Sequence, residues 1–104
     1  MNFLNRNQRI LAYSQPIDMR KSFNGLIGII RNCLRANPLS GDIYLFVNRR
    51  GTYLKAFLWD RTGYVIIAKR LERGRFLLPS TGEDNQVAVV SEDILLLLFD
   101  GVSI

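Results

Sequence analysis

Two turns of fixed length constrain this chain more than any other feature. Between Asp42 and Lys69, apolar and aromatic residues run in three stretches, 42–48, 52–59 and 64–69. Arg50-Gly51 separates the first two, and Asp60-Arg61-Thr62-Gly63 the last two. Short turns rich in Gly and Asp between β-prone runs specify hairpins, so the stretch predicts a three-stranded antiparallel meander. A hairpin of known loop length also fixes which residues face each other. Across the second turn, Trp59 opposes Tyr64 and Phe57 opposes Ile66. With a two-residue first turn, Tyr44 opposes Phe57 and Phe46 opposes Lys55. One face then carries Ile43, Leu45, Val47, Leu54, Ala56, Leu58, Val65 and Ile67. The other carries Tyr44, Phe46, Tyr53, Lys55, Phe57, Trp59, Tyr64 and Arg70.

The flanks supply further elements. Arg9 to Ser14 reads as a short strand ended by Pro16. Asp18 is placed to cap a helix from about Met19 to Leu34, in which Met19, Phe23, Leu26, Ile27, Ile30 and Leu34 share one face. Gly25 and Gly28 weaken it, and close approach to a sheet would compensate. Asn37-Pro38 and Ser40-Gly41 form the following loop. Thr81 to Asn85 reads as a polar loop and Gln86 to Val90 as a last strand. Ser91 then caps a short helix with Glu92 and Asp93 in its first turn. The expected fold is a single α+β domain over residues 1–104. It has a mainly antiparallel sheet of four or five strands, one long helix on the aliphatic face and a short C-terminal helix. The positions of the first and last strands within the sheet stay open.

Several function classes fall away. The chain has no histidine and one cysteine, which excludes Ser-His-Asp and Cys-His catalysis, imidazole zinc sites and an internal disulfide. Cys33 reads as a small core residue. No glycine-rich phosphate loop is present. The acids Asp18, Asp42, Asp60 and Glu72 sit at element ends, where caps and turns explain them. No catalytic set, metal site, cofactor or small-molecule substrate is therefore expected. The longest apolar run, Ile94 to Phe99, is far short of the ~20 residues that a membrane span requires. The first residues also lack the apolar stretch of a signal peptide.

Charge is split along the chain. All 14 cations lie in residues 1–75 against four acids, giving +10, while residues 76–104 hold five acids and no cation. Eleven cations are arginine, whose planar fork binds phosphate in bidentate fashion. Such a field attracts nucleic acid. Each hairpin reverses the chain, so the turn after the first meander strand and the end of the third lie at one end of the sheet. Arg49, Arg50, Lys69, Arg70, Arg73 and Arg75 should gather there as one basic patch, with Arg61 in the opposite turn. Arg20, Lys21 and Lys55 are secondary candidates. Arg20 and Lys21 stand at a helix start, where cations oppose the dipole. The aromatic face has two readings. It is either a stacking platform for bases, with Lys55 and Arg70 holding phosphates, or a core surface. Ile94 to Phe99 has no polar side and needs a partner surface, so the expectation is that the C-terminal helix covers the aromatics.

The ordered motifs resemble the accessory TnpB protein, the small second-frame product of the insertion-sequence-66 family of bacterial transposable elements. The similarity starts at Pro16-Ile17-Asp18-Met19-Arg20-Lys21-Ser22-Phe23-Asn24-Gly25-Leu26 and continues through Pro38-Leu39-Ser40-Gly41 and Phe46-Val47-Asn48-Arg49-Arg50. It then takes in Lys55-Ala56-Phe57-Leu58-Trp59-Asp60, Gly63, Lys69-Arg70-Leu71-Glu72-Arg73-Gly74-Arg75-Phe76 and Pro79. Asn24 stands where the family usually has an acid, and Leu78 where it has Trp. The resemblance implies a role in DNA transposition in a bacterial cytoplasm, beside a separate, larger protein that carries the acidic catalytic triad. It is distinct from the much longer RNA-guided nucleases that share the TnpB label. The expected function is a non-catalytic, DNA-binding accessory protein acting at element ends or on the transposase–DNA complex. The alternative is an interaction factor that binds transposase, or other element-encoded proteins, without touching DNA. Its support is the acidic, leucine-rich tail, which would also serve a homo-oligomer through the C-terminal helix.

Overall fold

The computed structural model describes residues 7–78 and 87–100. Its elements are β1 (Ile10–Tyr13), α1 (Phe23–Asn32), β2 (Ile43–Val47), β3 (Tyr53–Asp60), β4 (Gly63–Arg70), β5 (Val87–Val90) and α2 (Glu92–Phe99). The strands form one five-stranded sheet in the order β4-β3-β2-β1-β5. The fold is α+β, and three of its four strand pairs are antiparallel. The fourth, β1 with β2, is parallel. The expected loop Thr81–Asn85, Pro79 and the first residue of the expected last strand, Gln86, lie outside the described residues.

The meander has the register that the turn lengths predict. Tyr44 pairs with Phe57 and Phe46 with Lys55. Phe57 pairs with Ile66, and Trp59 with Tyr64. In the first turn the Asn48 side-chain oxygen accepts from the backbone N–H groups of Thr52 (2.9 Å) and Tyr53 (3.1 Å). Gly51 takes φ +72° there, a left-handed conformation that glycine adopts without steric cost.

The parallel β1–β2 pair decides which helix covers which face. Parallel neighbours need a long crossover, and residues 14–42 supply it through α1. Such crossovers are almost always right-handed, which commits the helix to one side of the sheet. That side is the aromatic one. Leu26 and Ile30 of α1 are fully buried with Leu11, Tyr13, Ile17, Tyr44, Phe46 and Phe57. This corrects the expectation that the long helix packs on Leu54, Leu58 and Val65. The aliphatic face is instead covered by α2, through Leu95 and Leu98, and by Phe76. Tyr44, Phe46 and Phe57 are therefore core, as the second reading has it, but under α1 and not under the C-terminal helix, while Tyr53, Trp59 and Tyr64 are half-buried. Each fully buried large apolar side chain contributes roughly 1.5–3 kcal/mol.

Local details depart from the sequence reading at α1. It starts at Phe23, because Asp18 caps a turn before the helix. The Asp18 carboxylate accepts from the Arg20 N–H (2.8 Å), and its carbonyl accepts from the Lys21 N–H (3.0 Å). Ser22 holds the N-cap position without a side-chain capping bond. Cys33 is exposed at the helix C-cap, so it is not a core residue. Neither helical glycine approaches the sheet: a Cβ on Gly25 would meet Lys21, and one on Gly28 would meet nothing within 4 Å. At the other end of the crossover, buried Asp42 accepts from the Arg9 guanidinium (2.8 Å) and the Arg9 N–H (2.9 Å), which pins the starts of β1 and β2 together. Helix α2 is capped as expected, with Ser91 Oγ accepting from the Ile94 N–H (3.2 Å). Among the described residues no helix is long and apolar enough to cross a membrane.

Candidate nucleic-acid interface

The β2–β3 turn and the chain after β4 are sewn together by their backbones. The Leu71 N–H donates to the Thr52 carbonyl (2.7 Å), and the Phe76 N–H donates to the Gly51 carbonyl (2.6 Å). Between these two bonds residues 71–76 loop outward, with Gly74 at φ +76° turning the chain. Arg73 and Arg75 are exposed on this loop, and Arg49 and Arg50 are exposed on the turn beside it. The packing is tight: a Cβ on Gly51 would lie 3.1 Å from the Phe76 carbonyl oxygen and 3.4 Å from Arg75 Cβ.

A groove of about 450 Å³ opens here. Arg49, Arg50 and Arg75 line it together with Ser14, Gln15 and Pro16 from the loop after β1. Leu77 and Leu78 line it as well. Its position follows from the parallel pair. Strands β1 and β2 end at the same edge of the sheet, so the loops that leave them diverge around a cleft. Just beyond it, the Ile17 N–H returns to the Val47 carbonyl (3.0 Å).

The remaining candidates sort by what their cations already do. Lys69 donates to the Phe99 carbonyl at the C-terminal end of α2, where a cation suits the helix dipole. Arg70 pairs with Glu72 (3.1 Å), both exposed, an arrangement worth little in water. Arg20 forks onto Asp18 (2.6 Å) and holds that carboxyl at about 2, chiefly by side-chain hydrogen bonds. Lys21 is exposed. Lys55 is corrected outright. It is 8% exposed, and its ammonium donates to the Met19 and Lys21 carbonyls, which leaves it no reach to an external phosphate. Arg61 lies in the β3–β4 turn, 3.7 Å from the Asp60 carboxylate and outside the groove.

Sequence reasoning missed Ser14, Gln15 and Leu77 as groove residues. The missing link was the parallel pairing of β1 with β2, which brings residues 14–16 beside 48–51. The signal available was the order strand, helix, strand with a crossover-length connection. Among the described residues no three acids or thiols are grouped to hold a metal ion.

Residues 8–104, nearly the whole chain, match the family described as IS66 Orf2 like protein. The chain belongs to this family. The IS66 Orf2-like family is one of transposition-associated accessory proteins. Two uncharacterized proteins of Sinorhizobium fredii (strain NBRC 101917 / NGR234), y4jC and y4hO, are similar to it. Each is 34% identical over 93 residues, which is 89% of this chain. The match covers 79% of the first relative and 80% of the second. No solved structure matches this IS66 Orf2-like chain.

Proposed function

We propose that this IS66 Orf2-like protein is a non-catalytic accessory factor that binds DNA at element ends, in the bacterial cytoplasm, alone or within a transposase–DNA complex. The observation that carries this reading is the meeting of Arg49, Arg50 and Arg75 around one groove. Arg70, Arg73, Arg20 and Lys21 are exposed as well and are further candidates for phosphate contact. Arginine forks bind phosphate oxygens in pairs, and such contacts dominate affinity for DNA. The Asp18–Arg20 and Glu72–Arg70 pairs are exposed, so phosphate can replace the carboxylate at small cost.

The test is fluorescence anisotropy on an end fragment of the element over a range of salt concentrations. Replacing Arg49 and Arg50 together by Ala should weaken binding and flatten the salt slope by up to about two. Arg61→Ala should change little. Equal losses from the two would mean diffuse attraction by net charge and would overturn the site.

A second reading has one observation in its favour. Leu96 and Leu97 of α2 are 52% and 42% exposed beside the acidic Glu92 and Asp93, a surface suited to a basic protein partner such as transposase or to a second copy of this chain. A contact made through those leucines would respond weakly to salt, which separates it from phosphate binding.

A further inference from the structure

We infer that the groove between the β1 loop and the β2–β3 turn is a seat for an unpaired nucleotide, so that single-stranded DNA is preferred over duplex. This rests on the DNA-binding reading and narrows it to a substrate class.

Shape is the first argument. Duplex phosphates lie on a convex surface and are met by projecting side chains, whereas this site is concave. Its volume of about 450 Å³ falls among clefts, typically about 300–1,000 Å³, that enclose ligands the size of a nucleotide. The second argument is the composition of the lining. The lining holds both arginines, suited to a phosphate, and Leu77, an apolar contact for a base face. Leu77 is 51% exposed, so its side chain is accessible to a base entering the groove. The third is that Ser14 and Gln15, both exposed, also line the groove. Their side chains donate and accept hydrogen bonds, and an unpaired base offers them its Watson–Crick edge, which pairing occupies in a duplex. A charged groove combined with contacts to the base faces, strongest when they are aromatic, is how single strands are held without strict sequence preference.

The experiment measures anisotropy of three probes with the full chain: labelled oligothymidylate, the same strand paired to its complement with blunt ends, and that duplex with a short single-stranded overhang. The expected result is that the single strand and the overhang bind about five-fold or more tighter than the blunt duplex. Leu77→Ser leaves charge unchanged and should remove most of that preference, lowering single-strand affinity more than duplex affinity. Leu77→Phe supplies a stacking face and should raise single-strand affinity. Because position 77 is exposed, both variants should keep the parent circular dichroism. Equal or tighter binding of the blunt duplex overturns the inference, as does a uniform response of all three probes to Leu77→Ser. In either case, Arg49- and Arg50-dependent duplex binding would leave the DNA-binding reading standing. No binding to any probe would overturn both.

Discussion

The ammonium of Lys55, in the middle of β3, donates to the backbone carbonyls of Met19 at 2.8 Å and Lys21 at 2.7 Å. A buried lysine thus fastens the loop before α1 to the sheet. Its stem lies in the interior, and its charge is met by two carbonyl oxygens, a geometry that long side chains allow. The exposed Arg20 and Lys21 ride on that loop, so Lys55 positions cations without offering its own. Lys55→Met should destabilise the fold by about 1.5–3 kcal/mol, the usual range for a hydrogen bond to a charged group. Urea denaturation of the two proteins reads this directly. The same variant should leave the salt slope of DNA binding unchanged. A slope flatter by about one would mean that Lys55 reaches a phosphate after all.

Asp18 and Arg20 form an exposed, pH-sensitive clasp in the same loop. Hydrogen bonds from the Arg20 guanidinium and backbone N–H lower the Asp18 carboxyl from its ordinary 3.8 to about 2. A carboxyl with a depressed folded value stabilises the fold above its unfolded value, and that contribution is lost as pH falls through the folded one. The clasp is therefore intact above about pH 4 and opens towards pH 2. An NMR titration of the Asp18 side-chain carbon should show the low midpoint. Arg20→Ala should return it to the ordinary carboxylate range, and an unmoved midpoint would refute the clasp.

The two hairpins were legible in the sequence because alternation and turn length act locally. Once Arg50-Gly51 and Arg61-Thr62 are the turn centres, Tyr44↔Phe57 and Trp59↔Tyr64 follow by counting. The covering of the faces was not legible. Both faces of the meander are apolar, and the stripe on α1 matches either. The choice is made by the pairing of Ile10 with Ile43, across a connection that hides it from local pattern, and by the handedness of the crossover. The same pairing hid half of the groove. Arg49, Arg50 and Arg75 could be brought to one edge from strand direction alone, whereas Ser14 and Gln15 could not. Lys55 misled for a related reason: alternation placed it on a face, but the loop that accepts its protons comes from 34 and 36 residues away.

Arg61 holds φ +53° at the tip of the β3–β4 hairpin, a conformation that costs most side chains about 1–2 kcal/mol. Its contact with Asp60 at 3.7 Å is exposed and returns little. Arg61→Gly should stabilise the protein by roughly 0.5–1 kcal/mol, since relief of strain outweighs the added freedom of the unfolded chain. A thermal melt should show a midpoint a few degrees higher. A lower midpoint would mean that the Arg61 side chain makes a contact the fold depends on.

Gly51 presents the opposite case at the other end of the sheet. Its φ of +72° disfavours any side chain, and a Cβ there would stand 3.1 Å from the Phe76 carbonyl oxygen. That oxygen belongs to the backbone whose own N–H donates to Gly51, so it cannot swing aside without breaking the bond that holds residues 71–76 to the turn. Gly51→Ala should therefore cost about 1–3 kcal/mol through strain at a left-handed position combined with a lost backbone contact. Hydrogen exchange should localise the effect, with the Phe76 amide losing protection while the β3–β4 amides keep theirs. DNA affinity should fall together with that protection, because Arg75 and Leu77 flank the released residue on either side. Were Phe76 to exchange as slowly in the variant as in the parent, the turn and the loop would not be coupled, and Arg49, Arg50 and Arg75 would not act as one surface.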